Sequence, residues 1–224
     1  MPSIWITRSQ PLAAQSAARL LERGYDAFAA PLLKVTLLSP AVDLPPAAHL
    51  IFTSRNGVRA FAGAIISRHF PCLCVGDASA EAARAAGFKA VTSVDGTADD
   101  VVAWAQKHIS PETPLYHIAG NHPRGDIIER LRAFGFTQAR RELFYRSEPV
   151  THDPRPRQTV DDIILLYSPM AAQSLISLGL DMGAMQIISM SAAIDAQLGD
   201  VRCKSRLFAA RPNEDALFTR LPPL

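Results

Sequence analysis

Twice along the chain an apolar run ends in a small hydroxyl residue and turns straight into a helix-like pattern: "LIFTSRNGVRAF" from Leu50 to Phe61, and "ILLYSPMAAQSL" from Ile164 to Leu175. A short aliphatic run without alternation marks a strand buried on both faces. Such strands belong to parallel sheets covered by helices. The serine at each junction suits an N-cap, because its side-chain oxygen accepts one of the N–H groups that a first helical turn leaves open. The feature asks for repeated strand–turn–helix units, a parallel sheet with helices packed on it.

Counting those units gives the organisation. Between residues 49 and 143 the pattern predicts strands at 49–53, 72–75, 89–92, 114–118 and 137–143, with helices at 56–67, 79–86, 98–109 and 124–134. Five strands and four helices make a complete flavodoxin-like unit. The C-terminal part predicts strands at 161–167, 185–189 and 205–209 with helices at 170–178, 191–198 and 213–221, which is poor as a domain alone. The N-terminus supplies the missing strands, 3–7 and 25–30, around a helix at 10–23. The expected fold is therefore α/β: two flavodoxin-like domains, each a parallel five-stranded sheet flanked by helices. Residues 1–32 and 155–224 form a discontinuous first domain, and 41–142 form a second domain inserted in it. The linkers, 33–40 and 143–154, include "LLKVTLLSP" and "LFYRSEPV" and are expected to make a two-strand hinge. The "HDPRPRQ" stretch beyond reads as an exposed loop.

An internal repeat supports the division. Ser54 aligns with Ser168, the Gly76 strand end with the Ser189 strand end, and Thr97 with Asn213, at offsets of 113 to 116 residues. A weaker echo links "ITRSQPLAAQSAARLLERGY" to "IAGNHPRGDIIERLRAFGF". Thr97 and Asn213 have the chemistry of N-caps, with Asp100 and Ala216 at the third helical position.

Several function classes are disfavoured. A net charge of +2 over 224 residues is no nucleic-acid footprint. The most apolar window, 163–180, contains Ser, Pro, Gln and Gly and makes a poor membrane span. Nothing resembles a signal peptide, so a cytoplasmic protein is expected. No G-x-x-x-x-G-K-[ST] phosphate loop, G-x-G-x-x-G fingerprint or G-x-S-x-G elbow is present. The six histidines lack metal-ligand spacing, and His117 and His122 straddle a turn as solvated or capping residues. Cys72 and Cys74 alternate on a strand and read as buried free thiols. Asp161-Asp162 reads as a solvated strand edge. What remains is the set of strand ends, rich in hydroxyls and glycine: Thr7-Arg8-Ser9, Thr53-Ser54-Arg55-Asn56, Gly76 to Ser79, Gly120 to Arg124, Ser168-Pro169-Met170 and Ser189-Met190-Ser191. Ligands of open α/β sheets bind at such ends, where helix N-termini offer N–H groups to carboxylates or phosphates.

These segments, in this order, resemble the uroporphyrinogen-III synthase family across essentially the whole chain. The carriers are the N-terminal "ITRSQPLAAQSAARLLERGYDAFAAPLLKV", "LIFTSRNGVRAF", "CVGDASAEAARAAGF", "TADDVVAWA", "AGNHPRGDIIERLRAFGF" with "LFYRSEPV", and "ILLYSPMAAQSL". The resemblance implies two flavodoxin-like domains joined by paired linker strands. It implies closure of hydroxymethylbilane, a linear tetrapyrrole with eight carboxylates, with inversion of its last pyrrole ring and loss of water. It implies no cofactor and no metal, and a substrate received from the upstream synthase. The family's tyrosine after the second linker matches Tyr145, a candidate general acid toward the departing hydroxyl, or a residue that only packs at the hinge. Ser54, Arg55, Asn56 and Ser79 in the second domain, and Ser168 and Met170 in the first, are implied substrate contacts, chiefly through backbone N–H groups in an interdomain cleft. Arg8 and Arg124 are candidate carboxylate partners, or surface arginines paired with neighbouring acids. Alanine at Ser54 is accordingly expected to cost little. The family's Gly-Pro-x-Thr turn is altered here to Gly76-Asp77-Ala78-Ser79 and Ser189-Met190-Ser191-Ala192, so no hydroxyl contact is available at Ala192. A monomer is expected. The competing reading is a non-catalytic, hinged binder of a small polyanion.

Overall fold

The computed structural model describes residues 2–123, 125–156 and 162–224. Arg124 and Asp161, singled out above, lie outside the described residues. The chain divides into two compact units, Met1–Val35 with Glu148–Leu224, and Thr36–Ser147.

The first unit carries β1 (Ile4–Ile6), α1 (Leu12–Glu22), β2 (Ala27–Ala29), β9 (Ile163–Leu166), α6 (Pro169–Ser177), β10 (Gln186–Ser189), α7 (Ala192–Asp195), β11 (Ser205–Phe208) and α8 (Glu214–Phe218). Its sheet runs β11-β10-β9-β1-β2, and its neighbouring strands pair in parallel. Both faces are apolar. Ile4, Ile6, Ile163 and Leu165 pack on one side, while Trp5, Ile164 and Leu166 pack on the other. Unbroken hydrophobic strands are thus explained by helices on both faces.

The second unit holds β4 (His49–Phe52), α2 (Arg55–Ala64), β5 (Cys72–Cys74), α3 (Asp77–Ala85), β6 (Val91–Ser93), α4 (Ala98–His108), β7 (Leu115–Gly120) and α5 (Ile127–Ala133). Two strands run across the boundary between the units, β3 (Leu33–Leu37) and β8 (Arg140–Pro149). The second sheet runs β3-β8-β7-β4-β5-β6, six strands rather than the expected five, because β3 adds to its edge. Nor do residues 137–143 and the linker form separate strands. No glycine or proline interrupts 140–148, so one ten-residue strand continues from the sheet into the connection. Here too the faces alternate: Leu50 and Phe52 join a cluster with Phe61, Phe70, Phe88 and Phe144, and Ile51 joins the opposite cluster. Phe61 is the hub of the first cluster, with ring centroids 5.4 Å from Phe144 and 5.9 Å from Phe88. Cys72 and Cys74 share that face as buried free thiols, and burial pushes Cys74 up to about 12, well away from a reactive thiolate.

Strand for strand, the two sheets match. β4 holds the place of β9, β5 of β10, β6 of β11, β7 of β1 and β8 of β2. The repeats seen in the sequence fall on these pairs, including the weaker echo between β1-α1-β2 and β7-α5-β8. The same spatial order is traced twice by a chain that enters at a different strand. In chain order the first is the 2-1-3-4-5 arrangement and the second its circular permutation.

The caps follow the sequence. Ser54 Oγ accepts from Gly57 N–H at 3.1 Å and Ser168 Oγ from Ala171 N–H at 3.2 Å, and both residues have extended backbones. Pro169 at the first position of α6 needs no N–H. Thr97 and Asp100 form a reciprocal capping box on α4, and Asn213 caps α8 through Ala216 N–H at 2.9 Å.

Candidate functional site

At the carboxyl end of the second unit's sheet, three strand ends converge. β4 delivers Thr53 and Ser54, β7 delivers Gly120 and Asn121, and β8 delivers Tyr145. The Tyr145 hydroxyl lies 2.9 Å from Ser54 Oγ. It reaches there through an irregularity: the β7–β8 register shifts between Ala119 and Gly120, so that Gly120 stands opposite Tyr145 while Ala119 stands opposite Leu143. A bulge of this kind re-aims a side chain beside a functional site. Phe144, the extra residue, is fully buried in the aromatic cluster. Asn121 pins the following segment by accepting Ser147 N–H at 2.8 Å.

Two glycines make this corner possible by close approach. A Cβ on Gly57 would lie 2.7 Å from the Ile118 carbonyl oxygen, so α2 sits closer to β7 than any side chain would allow. A Cβ on Gly120 would lie 2.5 Å from the Tyr145 ring. The helix so placed begins with Arg55 and Asn56, whose N–H groups belong to the first turn and point out of the helix end. Arg55 has a further side-chain or backbone interaction of its own.

His117, expected to be solvated or capping, is instead 1% exposed, at the centre of β7. Its Nε2 lies 3.0 Å from Thr53 Oγ1. Burial first, and then the charge of Arg141, hold its pKa down to about 4 from the ordinary 6.5. The folded protein therefore keeps a neutral imidazole that the unfolded chain would protonate below about pH 6.5. Stability from this group is full above that pH and is lost as pH falls toward 4. Between pH 7 and 5 this group alone is expected to cost the second unit roughly 2 kcal/mol. Urea unfolding of a Trp5→Phe protein, in which Trp104 reports the second unit, checks this. His117→Asn in that background should flatten the pH slope, and an unchanged slope would remove His117 as its source.

The next turn of this unit differs from expectation. Ser79 is buried, and its N–H is already bonded to the Gly76 carbonyl at 3.0 Å. Its side chain is therefore turned inward rather than toward a ligand, and the exposed residues of this turn are Asp77 and Ala78. Asp77 brings its own carboxylate to the helix start.

In the first unit the matching end carries Thr7-Arg8, Ser168-Pro169-Met170 and Ser189-Met190-Ser191. Arg8 is paired rather than available: its guanidinium meets Glu214 at 2.6 Å and Ser16 at 3.1 Å, stacks 4.6 Å from the Tyr167 ring centre, and is 10% exposed. Of its two readings, the ion pair with a neighbouring acid is the observed one, and it is half-buried rather than fully on the surface. Arg19 completes the clasp on Glu214 and Asp215. Ser168 is committed as a cap, which leaves Met170 N–H in the first turn of α6. Ser191 caps α7, while Ser189 is fully buried with an Oγ that meets no hydrogen-bond partner among the described residues. Among those residues, no helix is long and apolar enough to cross a membrane, and no three His, Cys, Asp or Glu side chains form a metal-binding group.

A family model for uroporphyrinogen-III synthase HemD matches residues 14–219. The chain belongs to the uroporphyrinogen-III synthase family. Members of this family are enzymes of tetrapyrrole synthesis. The fold agrees with solved relatives. The chain is similar to the uroporphyrinogen-III synthetase of Helicobacter pylori 26695, at 14% identity, with 97% of this chain and 96% of that one covered and a TM-score of 0.69. It is also similar to a mutant uroporphyrinogen-III synthase from Thermus thermophilus, at 12% identity, covering 98% and 96% with a TM-score of 0.53. No match was found among curated protein sequences. At such identities the likeness establishes the α/β fold, with parallel sheets and flanking helices, while the family assignment rests on the sequence match.

The sequence places Gly120 at a strand end and His117 beside a turn, but not the contacts that the two make in the second unit. His117 and Gly120 are adjacent to Thr53 and Tyr145 only through strand pairing, which short-range patterns do not encode. The glycine in "YHIAGN" at a strand end was the available signal, since a strand glycine marks a bulge or a close approach.

Proposed function

We propose that this chain is a uroporphyrinogen-III synthase, a cyclising hydro-lyase that closes hydroxymethylbilane to uroporphyrinogen III. The match of the family model over residues 14–219 carries the proposal. In this reading Tyr145 donates a proton to the departing hydroxyl, the pyrrole nitrogen supplies electrons to the resulting azafulvene, and closure follows with inversion of the last ring. The scarcity of other acid–base machinery at the strand ends fits a reaction in which folding and orienting the chain is most of the task. The substrate's carboxylates are met by first-turn N–H groups, those of Arg55 and Asn56 in one unit and Met170 in the other, and by Arg124. Arg8 acts indirectly, holding α8 through Glu214. No cofactor or metal takes part. Residues 1–32 with 155–224 and residues 41–142 are read as two flavodoxin-like domains, with 33–40 and 143–154 as a two-strand hinge. The protein is taken as a cytoplasmic monomer that receives its labile substrate from the enzyme that makes it.

The rate at which enzymatically supplied hydroxymethylbilane disappears tests the reading. Added protein should accelerate its loss well above spontaneous closure. Binding of the bilane without acceleration would overturn the synthase and favour a hinged polyanion binder.

A further inference from the structure

We infer that Ser54 is a positioning residue for Tyr145: its hydroxyl, with the bare Cα of Gly120, fixes the phenol and stabilises the phenolate left after proton donation. The inference rests on the synthase reading and deepens it.

A serine hydroxyl has one proton and two lone pairs. Capping α2 uses one lone pair, on Gly57 N–H. Nothing about the cap calls for a second partner, as the matched turn shows. Ser168 caps α6 with φ −156° and ψ 155°, against −156° and 152° at Ser54. Yet β2, which holds the place of β8, is Ala27–Ala29 and brings no phenol. The Ser54–Tyr145 bond is therefore added to the cap. It depends on three features found together at this corner: the register shift at Ala119/Gly120, the missing side chain at Gly120, and tyrosine at the position the shift aims.

The bond can run either way. With the Tyr145 O–H turned toward the leaving group, the Ser54 O–H donates to Tyr145 Oη. In the reaction the Tyr145 Oη–H bond breaks and its proton passes to the leaving hydroxyl. The C–O bond breaks with its electrons on that oxygen, giving water, while the pyrrole nitrogen lone pair fills the carbon's vacancy. The Ser54 O–H goes on donating to the phenolate oxygen so formed, without loss of the cap. The proton released when the closed ring rearomatises restores the phenol. A donor aimed where negative charge develops is worth most when it is already held in place, and here the helix start holds it.

This reverses the expectation that alanine at Ser54 costs little. Ser54→Ala should lower kcat about tenfold, as one lost hydrogen bond to a charged group implies, with KM within about twofold. Ser54→Thr should restore most of it. In a Tyr145→Phe background the same alanine should have no further effect on kcat. A wild-type kcat in Ser54→Ala, or an equal loss in the Tyr145→Phe background, would overturn the inference, the latter because the effect would then belong to the helix. A readout independent of turnover keeps this separate from the synthase reading. The Tyr145 ring Cζ resonance, assigned by its loss in Tyr145→Phe, should move in Ser54→Ala and return in Ser54→Thr. An unmoved resonance would refute the hydrogen bond, whereas absence of bilane turnover in the wild type would refute the function.

Discussion

Tyr145→Phe is expected to lower kcat by about 10²-fold or more while leaving KM and folding nearly unchanged, the size of effect that loss of a general acid brings. Phenylalanine keeps the ring that packs over Gly120 and against the Phe61 cluster, so the strand and its bulge have no reason to rearrange. Ser54 keeps its bond from Gly57 N–H, so α2 keeps its cap. What is lost is one proton at one place. Because hydroxymethylbilane closes by itself to the type I isomer, slowing the enzyme should also raise the type I share of the product. Steady-state rates and an isomer separation measure both. A variant with wild-type turnover and wild-type isomer ratio would leave Tyr145 as a packing residue.

The largest expected loss of stability lies elsewhere, in the first unit. The Arg155 side chain is 4% exposed, with Asp153 at 2.7 Å and Asp162 at 3.1 Å, and its guanidinium lies 5.1 Å from the Trp5 ring centre. Asp162 is fully buried, not the solvated strand edge that the sequence implies, and Arg155 is an anchor within what reads as an exposed loop. Removing the cation takes a shared charged partner from both carboxylates. Arg155→Leu is therefore expected to destabilise the first unit by about 3–5 kcal/mol at pH 7, as breaking buried pairs does. The deficit should shrink in acid, where Asp153, held against the opposing effect of burial below the usual carboxylate range by Arg155, takes up a proton and the wild-type protein loses that stabilisation too. Urea unfolding followed by Trp5 fluorescence in a Trp104→Phe protein measures it. A cost under about 1 kcal/mol would mean that water reaches the carboxylates as it does in surface pairs.

These two sites mark how far the sequence could be read. Caps were legible because they are local: Ser54, Ser168, Thr97 and Asn213 each bond an N–H two or three residues ahead. The alternation of strands and helices was legible because apolar runs bounded by caps have few other solutions. The repeat even registered the matching of β7 with β1, although the chain reaches those places in a different order. Contacts that join distant segments were not legible. Glu214 lies 206 residues from Arg8, and nothing near either residue announces the pair. Ser54 and Tyr145 are 91 residues apart, and their meeting depends on a one-residue shift between strands. His117 and Asp162 were misread for a related reason: a polar residue inside an apolar run looks like an edge until its partner is seen. The extra strand of the second sheet escaped because a linker and an edge strand have the same extended, half-alternating pattern.

The isomer composition of the product, across a dilution series of the protein at fixed hydroxymethylbilane, tests the central claim most directly. Spontaneous closure and catalysed inversion compete for the same substrate, so the type III fraction should approach one at high protein and fall smoothly toward type I on dilution. Tyr145→Phe should shift that curve to higher protein. Type I alone at every concentration of the wild-type protein would contradict the assignment.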